Sequence, residues 1–193
     1  MTRLERLFWV LALCAASVGG VVIGCARDED APSEPAAQPV DPPLLAFLSR
    51  ARSAHHIADE HEEAKRLDKA ILALRGVVSG PIPSSNPLRP EVREVLADTR
   101  ARLADLESQQ GNFDVAAKDI DAGLELVPER TYFRGHLFEV RGLLEDRRAK
   151  ALSAEGKSAD ALAAKQRALS AFETSMEIQA EVINQAVGPA EGP

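Results

Sequence analysis

Between positions 44 and 188, prolines are confined to one cluster, "SGPIPSSNPLRP" over residues 79–90, and to Pro128. Proline lacks the backbone donor and clashes with the preceding helical turn. Segments free of it, with apolar residues recurring at three and four, read as continuous helix. The expected class is therefore all-α from Leu44 onward, with the proline cluster as a loop between helices. Composition agrees, since hydrophobic residues make up 45% of the chain but aromatics only 4%. The single tryptophan, Trp9, lies in an N-terminal apolar run, which leaves Leu, Ala, Val, Ile and Phe to build a core downstream. Such a core favours closely packed helices over a β-sandwich. The 193 residues suffice for one modest domain with appendages.

The formal charge is −7, from 30 acidic and 23 basic residues. Without a basic excess to neutralise phosphates, nucleic acid is an unfavourable partner. Arg3 and Arg6 precede residues 7–23, which carry no charge. A basic start followed by an apolar run is the layout of a secretion signal. The run is short for a bilayer span, which needs roughly 20 residues. It ends in Val22-Ile23-Gly24-Cys25, which resembles the bacterial lipobox. That resemblance implies cleavage before Cys25, diacylation of its thiol and acylation of the new amino group, with residues 1–24 removed as a signal peptide. An uncleaved single-pass anchor is the alternative. Both put the remainder outside the cytoplasm, because the arginines hold the N-terminus inside. Cys14 would leave with the signal and Cys25 would carry lipid (palmitate among the acyl chains), so no disulfide is expected. Ala26 in place of an aspartate suggests, within the lipoprotein family, the outer membrane and its periplasmic face.

Residues 26–43, "ARDEDAPSEPAAQPVDPP", combine proline with a strong acidic excess. With Cys25 they read as an extended tether, reaching roughly 50 Å as polyproline II. Residues 44–187 follow as the helical domain, and the closing "GPAEGP" of residues 188–193 reads as a disordered tail.

Internal self-similarity appears inside the helical domain. The segment "GNFDVAAKDIDAGLELVP", residues 111–128, resembles the second half of a tetratricopeptide repeat. Gly111 matches its turn, Ala116 the small residue at the helix crossing, Ile120 the large residue one turn on, and Pro128 the close. Gly123 replaces a second alanine. Leu103 and Ala104 fit the first helix, although Arg100 occupies the position of its usual aromatic residue. Ile57, Ala58, Ala70 and Leu74 repeat the pattern upstream, with Lys65-Arg66 at the turn. A third copy turns at Gly156-Lys157, and each of its helices is expected to carry about two extra turns. Leu162, Leu169, Met176 and Ile183 recur every seventh residue on one of them, with Phe172 between. Leu137, Leu144 and Ala151 do so on the other. The resemblance implies three antiparallel helical hairpins stacked as a short TPR-like solenoid, the third lengthened. Small residues including Gly142 would set the helix approach, with Ile57, Leu74, Leu103, Ile120 and Phe172 filling between. An unrelated helical bundle is the alternative.

One polar cluster stands out, "AHHIADEHEE" at residues 54–63. His55, Asp59 and Glu62 share a helix face at i, i+4 and i+7, a donor set that could hold a divalent metal. His56 and His61 are five apart and diverge, so the two-histidine helical zinc motif is not formed. A solvated polar face is the simpler reading, and no metal or other cofactor is expected. No free thiol, phosphate loop or nucleophile elbow is present, so no enzyme is expected. In the resembling family, first-helix residues line a groove for peptides or partner helices. Here that groove would comprise Arg52, His55, Asp59, Glu62 and Glu63, then Asp98, Asp105 and Gln109, then His136 and Glu139. Its acidity suits a basic or amphipathic segment. The expected role is a membrane-tethered adaptor for another envelope protein, as in envelope-complex assembly. Self-association through the third hairpin and metal sensing at His55 are the alternatives.

Overall fold

The computed structural model describes residues 41–188; the lipobox, most of the tether and the last five residues lie outside that range. The described chain is all-α. Six helices follow one another: α1 (Pro42–Glu63), α2 (Leu67–Ser79), α3 (Pro90–Gln109), α4 (Phe113–Leu126), α5 (Tyr132–Ala154) and α6 (Ser158–Val187). Consecutive helices pair, α1 with α2, α3 with α4 and α5 with α6, and α3 and α5 each also pack on the pair before.

Helix boundaries follow from local chemistry. Pro42 and Pro43, expected in the tether, instead open α1, where the side chain of Asp41 accepts a hydrogen bond from Leu44 N. Proline is tolerated in a first turn because the missing N–H would be unsatisfied there anyway. Pro90 opens α3 in the same way. The turns within the three pairs share one geometry. Lys65, Gly111 and Gly156 are left-handed, with φ of 55°, 82° and 77°. The next residue's amide then reaches back to a carbonyl five positions earlier: Arg66 to His61, Asn112 to Glu107 and Lys157 to Leu152. This is the Schellman closure, and it recurs about every 45 residues.

The first helices of the three pairs are nearly equal, at 22, 20 and 23 residues. The second helices are not: α2 and α4 have 13 and 14 residues, α6 has 30. The expected matched lengthening of both helices in the third pair is thus replaced by one long helix. α2 stops before Gly80-Pro81 and α4 before Val127-Pro128, whereas α6 meets no proline until Gly188-Pro189 and so runs on.

The core continues from pair to pair. Phe47 and Ala51 of α1 pack with Val77, Val92 and Leu96. Ala58, Ala70 and Leu74 pack with Leu103 and Leu106 of α3. Ala97, Ala101 and Ala104 then meet Ala116, Ile120, Leu137, Val140 and Leu144. Gly123 lies against Leu137, where a Cβ would fall 2.7 Å from its Cδ2.

Two expectations fail. Ile57 is 49% exposed, although its counterpart Leu103 is fully buried. Leu103 is covered by the preceding pair, and α1 has no pair before it. The row Leu162, Leu169, Met176 and Ile183 is not buried against α5 but is 56–64% exposed, with Leu162 at the rim of a cleft beside Ala149 and Lys150. The face of α6 that is buried carries Ala164, Ala168, Ala171, Ser175 and Ile178. Phe172 is half-buried and lies over Gly142. The facing row on α5 behaves as expected at Leu137 and Leu144, while Ala151 is only half-buried.

Candidate functional site

The first helices α1, α3 and α5 bring together the polar residues expected to line a groove, and they also tie most of them down. Thr99 of α3 is fully buried and donates its hydroxyl proton to Val95 O at 2.7 Å. Its oxygen therefore accepts from His55 Nε2 at 2.9 Å, which fixes the tautomer with the proton on Nε2. Burial pushes the His55 pKa down; Arg102 adds to this, and Asp98 and Asp59 oppose it.

Asp59 and Glu62 both accept from Arg102 of α3, which also reaches His55 O at 3.4 Å. One step along, Asp105 and Ser108 of α3 receive Arg147 of α5 at 2.7 and 2.6 Å. Gln109 donates to Asp105 at 2.8 Å. An acidic or hydroxyl pair on one first helix thus grips an arginine from the next, twice over. This repeated clamp is the arrangement that the sequence reading missed. Arg102 and Arg147 were not singled out, although both lie about 45 residues apart on equivalent helices, the spacing of the turns.

His55 is consequently held by Thr99, and Asp59 and Glu62 together by Arg102. Among the described residues, no group of three or more His, Cys, Asp or Glu side chains is placed to hold a metal ion. The remaining groove residues are less committed. Arg52 and Glu63 are exposed and Asp98 is half-buried. His136 pairs locally with Glu139 at 3.3 Å and stacks on Tyr132.

A second polar network lies deeper. Asp119 of α4, 3% exposed, is held by Arg75 of α2 at 2.7 Å and Arg100 of α3 at 3.0 Å. Arg75 also binds Glu107 at 3.0 Å, whose other oxygen accepts from Asn112 at 2.9 Å. These contacts join α2, α3 and α4 and close the second turn. In the third pair the signs reverse. Glu145 of α5 stands where Arg100 stands in α3, and takes Arg167 of α6 at 2.8 Å.

Two clefts open on a different side, between α4, α5 and α6. One, of about 470 Å³, is lined by Phe113, Asp114, Arg148, Lys157 and Arg167. The other, of about 380 Å³, is lined by Ile120, Phe138, Arg141, Glu145 and Thr174. Their cations are already paired, Arg148 with Asp114, Arg141 with Asp121 and Arg167 with Glu145. Among the described residues, no helix is long and apolar enough to cross a membrane. No protein-family model matches the chain, nor does a curated protein or a solved structure.

Proposed function

We propose that this chain is an extracytoplasmic lipoprotein, anchored in the outer membrane through lipid on Cys25, whose helical domain is a TPR-like adaptor for another envelope protein. The observation that carries the reading is the recurrence of one hairpin turn at Lys65, Gly111 and Gly156, with buried alanines at equivalent crossings, Ala58, Ala104 and Ala149. Stacked hairpins that cannot bury their faces alone make extended surfaces for partners. The unit is longer than the roughly 34 residues of a tetratricopeptide repeat, and the excess lies in the long first helices.

The α1–α3–α5 face is the proposed binding surface. Its side chains include the carboxylates Asp59, Glu62, Glu63, Asp98, Asp105 and Glu139 against the arginines Arg52, Arg102 and Arg147. That excess suits a basic or amphipathic segment. Binding rather than catalysis is the role such a surface supports.

The anchor is tested by intact mass spectrometry of the chain expressed in a lipoprotein-processing host. The expected species begins at residue 25 with added acyl mass, and it is lost in Cys25→Ser. A full-length, unacylated chain in both samples sinks the anchor. The surface is tested by purification from solubilised membranes with Asp98→Lys and Glu139→Lys, which disturb no clamp between helices. A co-purifying protein released by these variants supports the surface. One retained through both would move binding elsewhere.

A further inference from the structure

The exposed row on α6 has a period that identifies its complement. Leu162, Leu169, Met176 and Ile183 recur every seven residues and are 56–64% exposed. Placing them at d of a heptad puts Ala159, Gln166, Glu173, Ala180 and Val187 at a, all exposed. A row of period 3.5 along an undivided 30-residue helix suits another helix wound beside it. The buried face, centred on Ala164, Ala168 and Ala171, points to α5, so the d/a seam faces away from the domain.

We propose that this seam pairs antiparallel with α6 of a second copy, making a closed two-fold dimer. The reason is complementarity in size, length and charge. In one register Leu162 meets Ala180 of the second copy, Leu169 meets Glu173, Met176 meets Gln166 and Ile183 meets Ala159. The two-fold axis repeats each layer, so eight consecutive layers set a large d residue against a different a residue. The paired stretch spans nearly the whole helix, roughly 36 Å at 1.5 Å per residue.

The same register places the second copy's Glu173 level with Leu169, one turn from Lys165. Lys165 can reach it, because its own-chain ion pair with Asp146 is long, at 3.8 Å, and Asp146 is held more closely by Lys150 at 2.6 Å. The opposite end of the stack offers no matching row. The exposed Leu45 and Ile57 of α1 have Arg52 and His56 between them. The antiparallel pairing uses the same face of both copies, so it closes rather than propagates. This inference stands apart from the adaptor reading.

Sedimentation of the full chain in non-ionic detergent tests it. A dimer is expected at tens of micromolar. Leu169→Glu should give a monomer of unchanged helicity. Lys165→Glu should weaken the dimer about tenfold or more, by setting a like charge beside Glu173 of the second copy. A monomeric wild type would overturn the proposal and leave the row to a helix of another protein. A dimer indifferent to Leu169→Glu would overturn it too. Orientation is read by oxidation in a chain with Cys14 and Cys25 replaced by serine. Gln166→Cys with Met176→Cys should cross-link two copies, and neither change alone should. Cross-linking by either single cysteine would overturn the antiparallel pairing.

Discussion

The contact of α3 with the first pair and the contact of α5 with α6 are packed by opposite means. Between α3 and the first pair, large side chains fill the space: Leu74, Leu103 and Leu106 are fully buried in one cluster, beside the Arg75–Asp119–Arg100 network. Between α5 and α6 the contact is made by Ala164, Ala168, Ala171 and Ser175, with Gly135 and Gly142 opposite. A Cβ at Gly142 would sit 2.6 Å from the Phe172 ring, and the Ser175 hydroxyl bonds Gly135 O at 2.8 Å. Small residues let two axes approach until backbone meets side chain, so bulk is pushed to the outside of α6. Interaxial distance follows from the side chains at the contact. Size alone therefore does not say which apolar residue is inside.

Single substitutions test this contrast. The largest effect is expected for Leu103→Ala, which should cost about 3 kcal/mol of unfolding free energy by leaving a cavity between α3 and the first pair. Chemical denaturation would read it. Gly142→Val should cost about 2 kcal/mol by overpacking against Phe172; a neutral result would mean that α5 and α6 lie farther apart than described. Asp119→Ala should cost about 2 kcal/mol, since Arg100 and Arg75 lose their shared buried partner but keep some access to solvent. A smaller effect is expected from acid. The folded-state pKa of His55 lies below its ordinary value because burial disfavours the imidazolium, so the unfolded chain binds the proton first. The stability this neutral histidine contributes is complete above about pH 6.5 and falls as the pH drops from there toward the folded pKa. Melting of His55→Gln across that window should show a flatter pH dependence than the wild type. Smallest of all, Leu162→Ala should change monomer stability by under about 0.5 kcal/mol despite removing a large apolar side chain.

Much of the fold was legible locally. Prolines mark where helices start and stop, and Gly111 and Gly156 mark two turns. The third turn was readable only by register, because Lys65 takes the left-handed conformation without being glycine. Apolar positions such as Ala58, Ala104, Leu74 and Ile120 are buried as their repetition implies. The polar face was less legible. His55, Asp59 and Glu62 share a face by spacing, yet spacing does not show that Thr99 and Arg102 from another helix take their hydrogen-bonding capacity. Charge type on one helix leaves the partner unspecified, since any of several distant arginines could answer it.

Helix positions, turn sites and the all-α class rest on backbone chemistry within a few residues, and so they follow from the chain read alone. Which apolar row faces inward does not. Ile57 and Leu103 have the same local setting, and one is exposed because no helix pair precedes it while the other is covered. On α6, the seven-residue row and the alanine row are both regular. The choice between them was made by how closely α5 could approach, a property of two helices packed together that neither helix encodes alone.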